Sequence, residues 1–344
     1  MKKVLASVAG LAMALGLGAC GNDAQPTAAK ASGQTEILLP FPEGLPMAPV
    51  VVAKQQGIFK ANGLDNVKVS VADGSGYVSQ QLVAGNVNFA LMGSADVAVA
   101  ASKRPDVRVL FCHQAHNVYR IGALPDTGVT DLAGMKDKTL GITEPGGGEH
   151  TMVKAALGGA GLDNSVKQLP IGGAGPQSVS AIKDGKVQGY ASSYPDFVAL
   201  AAQGIKFVDI TPEKYSSIPG TCMATTQKFL DSDAGKAQAK AVTKSWIDAE
   251  YYTIENKDKA FDVVCGAVPS ACENKDAAHA LFKEALAVMT PNQGDRVGDT
   301  KPEVWKTVVE VLASAGTVKS DLDLTNNVSG GTVAEIREAA YQGR

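Results

Sequence analysis

Three consecutive glycines stand before an acidic and a basic side chain in the stretch TEPGGGEHTMV. Gly146, Gly147 and Gly148 lead directly into Glu149 and His150. Such a stretch can cradle a phosphate, contribute to a metal site, or form the mouth of a binding cleft at a helix start. The Lys-Ser or Lys-Thr that closes a P-loop is missing, and adjacent side chains point to different sides of a helix. A binding cleft is therefore favoured, and an exposed helix start without a ligand is the alternative.

A second cluster, Cys112, His113 and His116, has a spacing that resembles metal ligands. A helical pair three residues apart would suit zinc, but the cluster follows a predicted strand and has no clear fourth ligand. We expect a structural role and neither a metal nor a cofactor. The sequence also has no Gly-x-Ser-x-Gly elbow and no His-Glu-x-x-His motif, so binding is favoured over catalysis.

The elements that must position these residues alternate between short β-like and longer helix-like runs. The β-like runs are EILLPF, VKVSVA, VNFALMG, RVLFC, YRIGAL, KTLGIT, VKQLPI and VQGYASS. This alternation is typical of βαβ units and predicts an α/β fold with parallel sheets. In such sheets ligands bind at the carboxyl ends of strands, beside helix N-termini with free backbone N–H groups.

The N-terminal region has the pattern of an export signal. Lys2 and Lys3 precede an apolar stretch that ends in Leu17-Gly18-Ala19-Cys20. That ending resembles a bacterial lipobox, so we predict a signal peptide at 1–19 and lipidation of Cys20. An ordinary secretory signal is the alternative. Residues 20–35 are rich in small and polar side chains and are predicted to form a flexible linker.

The remaining chain is long enough for two domains. From about Ala234 onward, long amphipathic runs predict additional C-terminal helices that contain both tryptophans, Trp246 and Trp305, in packing roles. The formal net charge of −3 shows no basic excess for nucleic acid.

Four cysteines follow Cys20, and an exported protein with an even number is expected to form disulfides. Cys265 and Cys272 are close in sequence, so we pair them, and Cys112 with Cys222 follows by elimination. Buried free thiols remain an alternative, because a body of this size does not need covalent cross-links.

Four segments occur in an order that resembles a known family. They are MAPVVVAKQQGIFKANGL, LVAGNVNFALMGSADVAVAA, DLAGMKDKTLGITEPGGGEHTMVKAAL and VSAIKDGKVQGYASSYPDF. Together they resemble the substrate-binding proteins of ABC importers for aliphatic sulfonates, taurine, nitrate and thiamine precursors.

The resemblance implies a two-lobed periplasmic-binding-protein type II fold, each lobe a βαβ sandwich, that closes on its ligand by hinge motion. Lobe I would comprise 36–115 plus 222–344, and lobe II 116–221. Cys112 and Cys222 would then lie beside the hinge. The implied partners are an ABC permease and ATPase. The protein is expected to be a monomer in the cell envelope, at the outer face of the cytoplasmic membrane or in the periplasm, attached by its lipid alone.

The resemblance also implies which residues meet the ligand, mostly at turns from strand to helix. The predicted ligand contacts are Phe41, Glu43, Ser75, Gly76, Tyr77, Gly93, Ser94, Gly147, Gly148, Glu149, His150, Ser193 and Tyr194. Phe41, Tyr77 and Tyr194 could form an aromatic wall. Asp96 is interpreted as a helix cap, and Asp196 is not assigned, because relatives have a different order of residues there.

The expected ligand is a small organic solute, a sulfonate or another organic anion. No arginine or lysine falls at the candidate positions, so an anion would rest on backbone N–H groups and hydroxyls. A heteroaromatic solute that resembles a thiamine precursor is the alternative, with Glu43, Glu149 or Asp196 as acceptors. A secreted enzyme on the same fold is the less favoured third hypothesis.

Overall fold

The computed structural model describes residues 33–72, 74–146 and 148–344. The predicted signal peptide, Cys20, most of the predicted linker and Gly147 lie outside the described residues. The described chain forms two five-stranded sheets surrounded by helices. The prediction of an α/β fold with additional C-terminal helices is therefore confirmed.

The strands are short, and the first begins within one residue of the predicted start of the folded part. In chain order they are β1 (Thr35–Leu39), β2 (Val67–Val71), β3 (Phe89–Gly93), β4 (Val107–Cys112), β5 (Tyr119–Ala123), β6 (Thr139–Ile142), β7 (Lys167–Pro170), β8 (Gly189–Ser193), β9 (Val208–Asp209) and β10 (Thr221–Thr226). The first sheet has the order β2-β1-β3-β10-β4, and the second has the order β7-β6-β8-β5-β9.

The helices cover the faces of both sheets and dominate the C-terminal third. They are α1 (Ala48–Gln55), α2 (Ile58–Ala61), α3 (Ser75–Ala84), α4 (Ser94–Lys103), α5 (Gly148–Gly159), α6 (Pro176–Lys183), α7 (Tyr194–Ala201), α8 (Glu213–Ser216), α9 (Gln227–Leu230), α10 (Asp233–Glu255), α11 (Lys257–Ala267), α12 (Lys275–Met289), α13 (Pro302–Ser314), α14 (Thr325–Ser329) and α15 (Gly331–Tyr341). Among the described residues, no helix is long and apolar enough to cross a membrane.

The prediction of parallel sheets holds for most strands, but each sheet also contains one antiparallel strand that the sequence did not indicate. In the first sheet β10 runs antiparallel to β3 and β4, and in the second β5 runs antiparallel to β8 and β9. Each of these two is the first strand after the chain has passed from the other sheet. Neither passage supplies the long crossover helix of a βαβ unit, since 113–118 has no helix and 210–220 has only the four-residue α8. The incoming strand is antiparallel in both cases.

Two segments, 113–118 and 210–220, carry the chain between the sheets and are hydrogen-bonded to each other. The Gly220 N–H donates to Gln114 O at 3.0 Å, and the Asn117 N–H donates to Ser216 O at 3.0 Å. Glycine is favoured at position 220, because a Cβ atom there would lie 2.9 Å from the backbone oxygen of His116 as well as 2.6 Å from Gln114 Oε1. The predicted boundaries between the lobes fall at these segments, with lobe I at 36–115 plus 222–344 and lobe II at 116–221. That the two lobes move as rigid units remains a prediction.

Both predicted disulfide pairings are present as bonds in the structure. Cys112 and Cys222 face each other across β4 and β10, at the strand ends that lead into and out of the crossing segments. Cys265 joins Cys272 after α11. Trp246 and Trp305 are both fully buried, which is consistent with the packing roles expected from the sequence.

Candidate functional site

A cleft lies between the two sheets, beside the crossing segments, and has a volume of about 50 Å³. Residues of the first-sheet side line one wall: Phe41, Ser75, Gly93, Ser94, Ala95 and Asp96. The second-sheet side contributes Tyr119, Gly148, Thr151 and Met152. The crossing segments, the start of β10 and helix α13 complete the lining with Asn117, Val118, Ile218, Pro219, Gly220, Thr221, Val308, Val311 and Leu312.

Helices α3 and α4 both begin at the first wall, where Ser75 and Asp96 meet. The Gly93 N–H donates to Ser75 Oγ at 2.6 Å, and the Ser75 hydroxyl is hydrogen-bonded to the Asp96 carboxylate. A Cβ atom on Gly93 would lie 3.2 Å from Asp96 Oδ2 and 3.5 Å from Ser75 Oγ, so glycine leaves room for both groups. Burial raises the pKa of Asp96, and the Ser75 hydrogen bond opposes part of that rise.

Ser94, at the start of α4, connects the first wall to the second crossing segment. Its hydroxyl donates to Pro219 O at 2.6 Å, and its N–H donates to Gly220 O at 2.8 Å. Both donor groups of Ser94 are therefore occupied by the protein. Its hydroxyl oxygen can still accept a hydrogen bond from a solute.

Tyr119 provides the aromatic ring of the second wall and closely approaches Gly148. A Cβ atom on Gly148 would lie 2.6 Å from Tyr119 Cζ, so a side chain at this helix start would collide with the ring. Burial, followed by the negative charges of Asp96 and Glu149, raises the pKa of Tyr119. The phenol is therefore a neutral hydrogen-bond donor at the cleft.

The charged pair that follows the glycines does not line the cleft. Glu149 is buried and accepts hydrogen bonds from the Thr143 hydroxyl and from the Glu144 N–H, the latter at 3.4 Å. His150 Nδ1 accepts from the Gly146 N–H at 2.7 Å, and burial lowers the pKa of the imidazole. Both side chains therefore hold the glycine-rich turn in place. Of the described residues in this stretch, Gly148, Thr151 and Met152 line the cleft.

The predicted aromatic wall is not assembled as a unit. Phe41 lines the cleft, but the side chain of Tyr77 is 52% exposed and lies outside it, as does its neighbour Gly76. Tyr194 is buried and packs against Val288 and Met289 of α12. Glu43 lies at the surface, where it forms an ion pair with Lys54 at 2.8 Å.

Ser193 and its neighbours form a strand-to-helix turn on the second sheet that is equivalent to the turn after β3 on the first sheet. Asp196 follows β8 as Asp96 follows β3, one hundred positions later in the chain. Its carboxylate accepts from the Ala174 N–H, just before α6, at 2.9 Å, and from the hydroxyl of Ser192 in β8. Neither Asp196 nor Ser193 lines the cleft. The Asp96 carboxylate therefore faces the cleft, whereas the Asp196 carboxylate faces the protein backbone.

The sequence reasoning missed the crossing segments and α13 as parts of the site. Asn117 is fixed there by three partners, since its side-chain amide contacts Tyr215 O and Met152 Sδ and its Oδ1 accepts from the Tyr119 N–H. Val308, Val311 and Leu312 of α13 supply apolar surface. These residues carry no local motif, and only the passage of the chain between the sheets brings them together.

The Cys-His-x-x-His cluster is dispersed into structural contacts. Cys112 forms the disulfide with Cys222, and His113 is fully buried with its Nδ1 at 2.5 Å from Glu250 Oε1. His116 Nε2 contacts Thr290 O at 3.1 Å. Across the described ranges, no group of three or more His, Cys, Asp or Glu side chains is arranged to hold a metal ion.

Solved structures with the same fold cover most of this chain. The periplasmic aliphatic sulphonate binding protein SsuA from Escherichia coli has a TM-score of 0.66 at 14% identity, over 86% of this chain and 91% of that one. The nitrate-binding protein NrtA from Synechocystis PCC 6803 has 0.60 at 15%, over 89% and 88%. A Candida albicans gene product described as having the generic periplasmic binding protein fold has 0.60 at 17%, over 90% and 95%.

A search of curated proteins finds no match to this sequence. The sequence profile of the family described as "NMT1/THI5 like" matches residues 46–256, which is more than half of the chain. The matched segment includes the glycine-rich turn, both crossing segments and every strand except the first. The predicted family resemblance and the periplasmic-binding-protein fold are thus confirmed, and the chain belongs to the NMT1/THI5-like family.

Proposed function

We propose that this protein is the solute-binding component of an ABC importer. It captures a small organic solute in the cleft between the two sheets and delivers it to a permease that an ATPase drives. In this proposal the protein works as a monomer at the outer face of the cytoplasmic membrane or in the periplasm. A lipid on Cys20 attaches it to the membrane and residues 20–35 serve as its flexible tether.

The observation that carries the proposal is that the cleft walls come from both sheets and from the segments between them. Ser75, Gly93 and Asp96 lie on one side, Tyr119 and Gly148 on the other. Small rotations in 113–118 and 210–220 would separate the walls, as in hinge closure around a ligand. A volume of about 50 Å³ is well below the roughly 300 Å³ of ordinary ligand sites, so the walls must separate for a solute to enter.

Two classes of solute are considered. An organic anion such as a sulfonate is the first expectation from the sequence, and it would rest on backbone N–H groups at the starts of α3, α4 and α5. A heteroaromatic solute with amino groups is the alternative, and it would place the ring near Tyr119 and donate hydrogen bonds to Asp96. The presence of Asp96 in the lining favours the second class.

Thermal unfolding of the purified protein with a panel of solutes tests the binding role. The panel contains alkanesulfonates, taurine, nitrate, aromatic carboxylates and aminopyrimidines. A ligand at 100 times its dissociation constant stabilises the folded state by about 2.7 kcal/mol, which raises the melting temperature measurably. Stabilisation by one chemical class, with the solute recovered unchanged, supports the proposal. Chemical turnover of the bound solute would instead favour the rival hypothesis of a secreted enzyme.

A further inference from the structure

The charge in the described lining of the cleft is negative. Asp96 is the one charged residue among the described residues that line it, and the remaining lining is apolar, hydroxyl, amide or glycine. The Coulombic influences on Tyr119 come from Asp96 on one side and Glu149 on the other, both negative. The Asp96 carboxylate in the lining and the Glu149 carboxylate behind the second wall together make the interior of the cleft electronegative.

We infer that Asp96 determines the specificity of the cleft and that the solute presents to it a protonated nitrogen or an amino N–H group. This inference rests on the proposed binding function and deepens it by naming the chemical class of the solute. The class includes amines, amidines and amino-substituted nitrogen heterocycles. It excludes a solute whose only polar group is a sulfonate, a nitrate or a carboxylate.

The surroundings of Asp96 leave its charge uncompensated by the protein. The carboxylate shares a hydrogen bond with Ser75, which is a neutral group, and the described structure gives it no ion pair. Partial burial accordingly raises the pKa of Asp96, because a partly buried carboxylate without a cation is less stable than one in water. A positive or N–H-donating solute would supply the missing partner, and a charge-assisted hydrogen bond is among the stronger polar contacts in proteins.

An anion would meet the opposite situation. It would replace water next to Asp96 with a like charge, with no arginine or lysine in the described lining to offset the repulsion. The helix starts at Ser75, Ser94 and Gly148 offer partial positive charge, but the N–H of Ser94 is already donated to Gly220 O. The balance of charge therefore opposes an anion at this site.

The same uncompensated charge explains how a solute could stabilise the closed form. Asp96 lies on the first wall and Tyr119 on the second, and the negative charge of Asp96 acts on the Tyr119 phenol across the cleft. A positively charged solute between the walls would be attracted to Asp96 on the first wall and could contact the second wall at the same time. A solute of this class would therefore stabilise the closed form of the protein relative to the open form.

A structural role for Asp96 as a helix cap is the competing explanation, since Asp96 lies in the first turn of α4. The two explanations predict opposite effects of the isosteric change Asp96→Asn on the empty protein. Loss of a cap lowers the melting temperature, whereas loss of an uncompensated, partly buried charge raises it. The specificity role also requires that the same change weaken binding of nitrogen donors.

The experiment compares probes of similar shape and opposite charge on the full chain. Benzamidinium is paired with benzoate, butylammonium with butanesulfonate, and 4-aminopyrimidine with unsubstituted pyrimidine. Melting temperature and calorimetric titration are measured for the wild type and for Asp96→Asn. We expect the nitrogen donor of at least one pair to bind the wild type, and Asp96→Asn to weaken that binding by about tenfold or more.

Asp196→Asn is the matched control, because Asp196 occupies the equivalent turn of the second sheet but accepts from the Ala174 N–H and lies outside the cleft. It should lower the melting temperature and leave the preference for nitrogen donors intact. If anions bind the wild type and donors do not, the inference is overturned while the binding function stands. Donor binding that Asp96→Asn leaves unchanged overturns it as well. If no probe binds, the proposed function itself is contradicted.

Discussion

Gly148 and Tyr119 lie so close together that a Cβ atom on Gly148 would be 2.6 Å from the Tyr119 Cζ atom. Gly148 begins α5, and Tyr119 begins β5 at the end of a crossing segment. The glycine therefore determines where the aromatic ring stands in the cleft. This contact is a physical reason for a glycine at the third position of the Gly146–Gly148 run.

Replacing Gly148 with alanine should displace Tyr119 and lower solute affinity. Overpacking of this kind costs about 1–3 kcal/mol of folding free energy, part of which is relieved if the ring moves into the cleft. The solute's dissociation constant and the free energy of unfolding should be measured together. Gly266→Ala in α11 is the control, since a Cβ atom there meets nothing within 4 Å and alanine is favoured in helices. Unchanged affinity in Gly148→Ala would contradict the placement of the ring in the binding site.

The affinity for a nitrogen donor should depend on pH through Asp96. Burial raises the pKa of Asp96 above its usual value of 3.8, so the carboxylate gains a proton at a higher pH than an ordinary aspartate. Binding to a cation is strongest when Asp96 is ionised, so affinity is full above the raised pKa and falls as the pH drops through it. Titrations with benzamidinium between about pH 4 and 8 measure this profile, because the amidinium itself keeps its charge. A flat profile for the wild type would contradict the role of Asp96, and Asp96→Asn should abolish the dependence.

The two disulfides should differ in their contribution to stability. Cys112–Cys222 closes 110 residues and Cys265–Cys272 closes 7. In the chain-entropy account, losing the first costs about 5 kcal/mol and losing the second about 2 kcal/mol. Urea unfolding of the two double serine variants compares them directly, each serving as the control of the other. Equal destabilisation would show that loop length does not determine the stability that each disulfide contributes. It would also indicate residual structure in the unfolded chain.

A buried His113–Glu250 pair anchors the start of the first crossing segment. Nδ1 of His113 lies 2.5 Å from Glu250 Oε1, Nε2 lies 3.2 Å from Pro46 O, and the Trp246 indole donates to the same carboxylate oxygen. Burial raises the pKa of Glu250, and the hydrogen bond with His113 opposes the rise.

Removing one partner of this pair should cost more than removing both. Glu250→Leu leaves His113 buried without its acceptor and should destabilise the protein by about 3–5 kcal/mol, whereas adding His113→Leu should recover part of that loss. Urea unfolding of the two single variants and the double variant gives the coupling energy. Additive losses would contradict a direct interaction between the two side chains.

The sequence predicted the fold well, because alternating strands and helices leave a strong local pattern. It also placed Ser75, Gly93, Ser94 and Gly148 at helix starts, and the structure brings all four to the cleft. The pattern could not show that β5 and β10 are antiparallel, since their direction follows from the passage between the sheets.

The remaining parts of the site were beyond local sequence reasoning. Tyr119 carries no motif and lies in the cleft only because a crossing segment ends there. Tyr77 and Tyr194, chosen for their aromatic rings beside helix starts, point to solvent and into the core instead. The sequence favours a helix cap for Asp96. Its place in the cleft lining depends on the small size of Gly93 and on the opposite wall, and neither effect leaves a local sequence pattern.

The most direct test of the central claim is native mass spectrometry of the full chain after incubation with a small-molecule extract of the cells that make it. The wild type should retain one small solute per chain. Ala95→Trp, which adds a large side chain to the cleft wall, should retain none while unfolding at a similar temperature. If no solute is retained, or if Ala95→Trp retains it equally, the cleft between the two sheets is not a solute-binding site.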